Sequence, residues 1–138
     1  MRTVFTIYPG IGFKGAVQAE EAKQLTKFLA NLPPANPSGQ DYVIITGDFN
    51  SDPTSEAIGN MLKGDQIELT DSWPHCSYGP ILATQNGFTF NSANPTERID
   101  YAFYAARGSS NDKVTCRAGV RNTQASDHRP LYVSYPLL

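Results

Sequence analysis

The run Tyr42-Val43-Ile44-Ile45-Thr46, closed by Gly47-Asp48-Phe49-Asn50, constrains the fold more than any other segment of this chain. Its β-branched side chains favour an extended backbone, and an unbroken apolar stretch from Val43 to Ile45 predicts a strand covered on both faces. The chain must therefore supply layers above and below it. Upstream, Thr3-Val4-Phe5-Thr6-Ile7-Tyr8 alternates β-formers and stops at Pro9-Gly10, a strand closed by a turn signal. From Val17 onward Gln, Ala, Glu and Lys take over, and Leu25, Phe28, Leu29 and Leu32 fall at the spacing of one helix face, ended by Pro33-Pro34. Asn36 to Gln40 is a polar loop. Asp52-Pro53 fits an N-cap with proline at the first helical position, opening a second helix that buries Ile58, Met61 and Leu62.

After a Gly- and Pro-punctuated region from Trp73 to Gly87, Ile99-Tyr101-Phe103 alternates with Arg98-Asp100-Ala102-Tyr104, the period of a strand with one apolar face. A last strand, Leu131 to Tyr135, follows the polar loop Thr123 to Pro130. Strands interleave with helices early and dominate late, so the fold class is α+β.

With 138 residues there is room for one domain or part of a larger one, and the absence of repeats, low-complexity tracts and like-charge blocks predicts a single unit over 1–138. Apolar residues at 40% against 17% charged exclude a disordered chain. A formal charge of −2 argues against bulk nucleic-acid binding, which needs an excess of Lys and Arg to displace counterions. No apolar run approaches the roughly 20 residues of a transmembrane segment, so the chain is expected to be soluble. Cys76 and Cys116 are too few for a disulfide framework or a four-thiolate zinc site. Whether they pair is open, and so is the compartment.

Three groups of residues can carry chemistry. Asp48 and Asn50 stand two apart at the carboxyl end of the apolar strand, where alternate side chains share a side. A carboxylate beside a carboxamide there can orient a water or a metal and donate hydrogen bonds to a phosphoryl oxygen, while Gly47 permits close backbone approach. The plainer account is that Asp and Asn end a strand and start a turn. In Ser126-Asp127-His128 the acid can orient an imidazole that exchanges protons near neutral pH, although an Asp-His pair in a loop is also ordinary surface. In Arg98-Ile99-Asp100-Tyr101 a charged pair occupies one strand face, which a cross-strand ion pair would equally explain.

In order along the chain, GDFN with Pro53 beyond Ser51, then Thr89-Phe90-Asn91, then RIDYAFY from Arg98, then SDHRP from Ser126, resembles the endonuclease/exonuclease/phosphatase superfamily. The resemblance runs from about Gln18 to Tyr135 and is similar to the carboxyl-terminal half of that fold. The Glu-Glu-Ala-Lys-Gln-Leu helix and the stretch before Tyr104 are nearest to the branch of neutral sphingomyelinase-like and related small-substrate phosphodiesterases. The resemblance implies half of a four-layer, DNase I-like sandwich, with a mixed sheet and helices on one face. It also implies divalent-metal-dependent hydrolysis of a phosphate ester, with Mg²⁺, or Mn²⁺, as the cofactor. Asp48 would orient or activate the attacking water and Asn50 would hydrogen-bond the phosphate. Asp127 would support the metal, with Asp48, or the histidine, and His128 would contact the phosphate or transfer a proton. Asp100 would be a supporting acid on the substrate side, with Arg98 its partner or a partner of the sheet.

The superfamily's amino-terminal half, with its glutamate metal ligand, has no counterpart. No histidine precedes His75, and Glu20 and Glu21 lie on the first helix, where an i,i+4 role beside Lys23 and Gln24 is expected. A half-sandwich should leave an apolar sheet face that a second chain or a second copy would cover. Weak metal binding and low activity alone are expected. The alternative is a non-catalytic family member kept as a binding or interaction module. His75, beside Cys76, is a loop histidine that can serve as an extra base or ligand only if the fold brings it to the site.

Overall fold

The structure is a computed structural model that describes residues 2–7, 15–33, 41–78, 86–107 and 114–135. In chain order its elements are β1 (Arg2–Ile7), α1 (Ala16–Ala30), β2 (Asp41–Asp48), α2 (Glu56–Leu62), β3 (Thr70–Asp71), α3 (Ser72–His75), β4 (Ser77–Tyr78), β5 (Asp100–Arg107), β6 (Arg117–Val120) and β7 (Leu131–Ser134). The class is α+β. The strand built on the apolar run is interior, as its composition demands: β2 takes β1 parallel on one side and β5 antiparallel on the other. β3 completes a four-stranded mixed sheet in the order β1-β2-β5-β3, and β4-β6-β7 form a second sheet.

The pleat sorts β2 and β5 into two faces. Val43 and Ile45 with Tyr101, Phe103 and Ala105 face a core shared with Ala22 and Leu29 of α1 and Ala57, Ile58 and Met61 of α2. Leu29, Ile45, Ile58 and Met61 are fully buried, each worth about 1.5–3 kcal/mol relative to exposure. Phe49, just past β2, stands edge-on to Tyr101 and Phe103, with ring centroids 5.6 and 5.2 Å away. Ile44 and Tyr104 point the other way, into a smaller cluster with Val114 that Tyr42 and Tyr135 flank.

This second face corrects one expectation. β5 is not solvated opposite its apolar face: Ala102 and Tyr104 are 4% and 6% exposed. On that side β7 comes against β5. α1 and α2 lie on one face and the smaller sheet on the other, with α3 packed against that smaller sheet. Among the described residues, no helix is long and apolar enough to cross a membrane.

Two helix details also depart from what periodicity predicts. α1 buries Gln18, Ala19, Ala22, Thr26 and Leu29, while Phe28 is 53% exposed and Leu25 and Leu32 only flank the core. Small residues on the buried stripe let α2 approach closely, and Asn60 Nδ2 donates to the Ala19 carbonyl at 3.0 Å. α2 begins at Glu56 with Ser55 as its N-cap, its hydroxyl accepting from Ile58 N. Asp52 caps no helix: its Oδ1 accepts from Thr54 N at 2.8 Å, closing a turn that holds Pro53.

The chain passes from one sheet to the other through α3, where Asp71 Oδ1 accepts from Trp73 N at 3.0 Å. Cys76 and Cys116 form a disulfide, settling the pairing that the sequence left open. It sits in a core with Trp73, Ala118 and Val120, packed against Leu131 and Val133. The expected turn at Pro9-Gly10 and the loop from Asn36 to Gln40 lie outside the described residues.

Candidate active site

Antiparallel register places Asp48 directly opposite Asp100, at matching ends of β2 and β5. Both stand on the parity of Ile44, Ala102 and Tyr104, so both carboxylates are on the side facing the second sheet. Two acids that are 52 positions apart in sequence thus share one edge. The strand then ends. Asn50 adopts φ 47°, a left-handed conformation that Asn tolerates better than most residues, and its N–H donates to Asp48 Oδ1 at 2.8 Å. The two-residue alternation therefore stops at Asp48, and the turn rather than the pleat places Asn50. One oxygen of Asp48 is spent on that turn, which leaves Oδ2 for chemistry.

His128 comes to the same edge on a loop held by backbone contacts from the Thr89–Ser92 segment. Ser92 N donates to the Asp127 carbonyl at 2.7 Å, Arg129 N to the Thr89 carbonyl at 2.8 Å, and buried Arg129 Nε to the Ser92 carbonyl at 2.7 Å. The Phe90 ring packs 5.0 Å from the imidazole. His128 Nδ1 lies 2.8 Å from Asp100 Oδ2, so Nδ1–H donates there, while Nε2 is 3.9 Å from Asp48 Oδ2. Asp48, Asp100 and His128 each bring a ligand atom within 4.8 Å of the others.

Burial raises the Asp48 carboxyl above the usual carboxylate range, with Asp100 and Asp127 adding to it, against the Asn50 N–H and His128. Burial alone would lower the His128 imidazole, but the Asp100 hydrogen bond and the charges of Asp100, Asp48 and Asp127 raise it. The edge is thus short of positive charge. Two carboxylates and an imidazole at this spacing suit a divalent cation or the proton transfers of hydrolysis.

The other expected site residues are placed differently. Asp127 is exposed, accepts from Ser126 Oγ at 3.1 Å and acts on the cluster through its charge; Asp100, not Asp127, holds the histidine. Arg98 does not partner Asp100. Its guanidinium binds Asp71 Oδ2 at 2.7 Å and lies 4.7 Å over the Tyr101 ring, so its acidic partner is Asp71. It is 9% exposed. Glu20 accepts from Gln24 Nε2 at 3.2 Å on the outside of α1, as its spacing predicts. His75 lies on α3, 5.8 Å from the Tyr104 ring and outside the cluster.

Three further residues contribute: Ser92 and Arg129, which fix the His128 loop, and Gln18, which reaches the Asn50 turn from α1; of these only Arg129 lies in a motif, SDHRP, and nothing in that string assigns it this role. A cleft of about 790 Å³ opens beside the cluster, with Ile44 and Ala102 on one wall and Leu131, Val133 and Tyr135 on the other.

Residues 11–128 match the pattern of the Endonuclease/Exonuclease/phosphatase family. Among solved structures, an endonuclease/exonuclease/phosphatase family protein from Bacteroides thetaiotaomicron is 26% identical with a TM-score of 0.64, covering 94% of this chain and 48% of its own. A mannosyl-6-phosphatase from Bacteroides thetaiotaomicron VPI-5482 gives 23% identity and 0.62, covering 92% of this chain and 48% of its own. An endonuclease/exonuclease/phosphatase from Bacteroides vulgatus gives 18% and 0.63, over 88% of this chain and 44% of its own. The chain thus spans less than half the length of these structures. No curated protein matches it.

Proposed function

The chain belongs to the endonuclease/exonuclease/phosphatase family, and from that premise we propose that its Asp48–Asp100–His128 edge takes part in divalent-metal-assisted hydrolysis of a phosphate ester. The juxtaposition of those three side chains, brought together from two strands and a loop, is the observation that carries this reading. The donor set fits Mg²⁺ or Mn²⁺, because the free oxygen of Asp48 is a hard ligand in an edge with unbalanced negative charge. Asp48 would hold the ion with the charge of Asp127 beside it, and the ion would offset phosphate charge as the transition state forms.

The chain's own residues then divide the work. Asp48 Oδ2 also orients the attacking water. The Asn50 carboxamide donates to a phosphoryl oxygen. Asp100 occupies Nδ1 of His128 and so turns Nε2 towards the reacting group, as a donor to phosphate or leaving oxygen. Arg98 acts from behind, through Tyr101, whose hydroxyl donates to the Ser51 carbonyl at 2.7 Å. The leaving group is unspecified by these residues. The named activity of one structural neighbour makes a sugar phosphate the first monoester to assay.

The test is hydrolysis of bis-p-nitrophenyl phosphate and mannose 6-phosphate by the purified chain with Mg²⁺, Mn²⁺ or EDTA, beside Asp48→Asn and His128→Ala. Metal-dependent turnover that falls by about 10²–10⁴ in each variant is expected from losing a metal-holding group in one and a proton-transferring group in the other. Turnover unchanged in either variant would overturn the roles assigned to Asp48 and His128. Turnover absent throughout would favour a binding module instead.

A further inference from the structure

Gln18 is 9% exposed, yet it lies on α1, more than thirty positions before the turn that carries Asn50. A buried carboxamide must be matched at both ends, and here the partners converge on one turn. Its Nε2 donates to the Asn50 carbonyl at 3.3 Å, and its Oε1 accepts from Ser51 Oγ at 3.1 Å. The same oxygen accepts from Gly15 N at 3.2 Å, anchoring the side chain to the start of its own helix. The turn it holds is the left-handed one at Asn50, whose N–H fixes Asp48 Oδ1. Asn tolerates φ 47° better than most residues, yet the conformation still costs energy that contacts holding the turn offset.

We propose that Gln18 is a positioning residue for the candidate active site: by clamping the Asn50 turn it keeps Asp48 rotated with Oδ1 on the turn and Oδ2 free. The donated hydrogen bond is the decisive one, because it fixes the carbonyl of the same residue whose N–H faces Asp48. The two acceptor contacts hold the carboxamide in place. The functional consequence rests on the catalytic roles proposed for Asp48 and Asn50, whereas the clamp itself does not depend on them.

The experiment compares the full chain with Gln18→Leu, which removes every contact, and Gln18→Glu, which retains the acceptor oxygen but removes the donor. Asn60→Ala serves as the control, since it loosens the same helix through the Ala19 carbonyl without touching the turn. Amide exchange at Asn50, followed by NMR, is the first readout. Protection of that amide is expected to fall about tenfold in both Gln18 variants and to stay unchanged in Asn60→Ala, the size expected for losing one buried hydrogen bond. The second readout is kcat against KM, with kcat expected to fall and KM to hold. Asn50 protection equal to wild type in Gln18→Glu, or lost equally in Asn60→Ala, would overturn the proposal. If Asp48→Asn hydrolyses normally while Asn50 loses protection as stated, the catalytic reading fails and the clamp stands.

Discussion

At the residue scale, the decisive contact joins Asp100 to His128, and its consequence is a pH dependence with a definite sign. Burial works against the imidazolium, but the Asp100 bond and the three nearby carboxylates outweigh it, so the folded value lies above the unfolded one of about 6.5. A group raised on folding contributes stability that is complete below the unfolded value and is lost as pH climbs through the folded one. NMR titration of the His128 ring should therefore show a midpoint above about 6.5, and Asp100→Asn should bring it down because desolvation is then opposed only by Asp48 and Asp127. A midpoint that does not move in the variant would mean the Asp100 bond is not what raises it. The site residues were legible in the sequence as types: acids and a histidine in short ordered motifs. Their pairing was not, because Asp100 and His128 are joined by register and loop closure across 28 positions, which no local pattern encodes. Arg98 shows the same limit: it falls just before β5 begins at Asp100, and its partner, Asp71, 27 positions away, is written in no local pattern.

At the element scale, what could be read followed length and periodicity. β2 and β5 each supply eight residues of pattern and were visible. β3 and β4 supply two residues each, too few for any period, and exist only because β5 and β6 offer partners. The buried face of α1 departs from the one periodicity predicts because large apolar side chains mark a helix face only when the neighbour leaves room for them. α2 comes close, so Ala19 and Ala22 are inside and Phe28 is outside. The segment leading to the Thr89–Ser92 support has its own constraint. Gly87 has φ 70° and is buried against Trp73, and a Cβ there would lie 2.5–2.7 Å from the indole ring. Trp73 is buried beside the disulfide, so relieving the clash would mean shifting a packed indole. Gly87→Ala should thus cost about 2–4 kcal/mol, combining left-handed strain with overpacking, and denaturant melts would show it. A loss below about 0.5 kcal/mol would mean that the segment moves away without penalty.

At the scale of the whole molecule, the candidate site depends on how firmly the small sheet is held against the large one. The acids belong to the four-stranded sheet, while His128 stands on the loop that leads into β7 of the other. The link between them runs through α3, and the Cys76–Cys116 disulfide ties the end of α3 to the start of β6, with Ser77 N donating to the Cys116 carbonyl at 3.0 Å alongside it. Among the described residues, the sheets also meet through the small cluster of Ile44, Tyr104 and Val114, the Tyr104–Tyr135 ring contact, the Ser72–Tyr135 hydroxyl contact and the Asp100–His128 bond, with the open cleft beside them. A core this thin gives the cross-link a large share of the stability. For a 40-residue separation, restricting the unfolded chain accounts for about 4 kcal/mol in the chain-entropy treatment. Cys76→Ala/Cys116→Ala is therefore expected to lower unfolding stability by about 2–4 kcal/mol in urea melts. Because the loosened sheet carries the His128 loop, the Asp100–His128 bond should weaken in the same variant, moving the His128 midpoint downward while the melt remains cooperative. A stability loss with an unmoved midpoint would show instead that the Thr89–Ser92 contacts alone fix the histidine, and that the disulfide serves only the small core around Trp73.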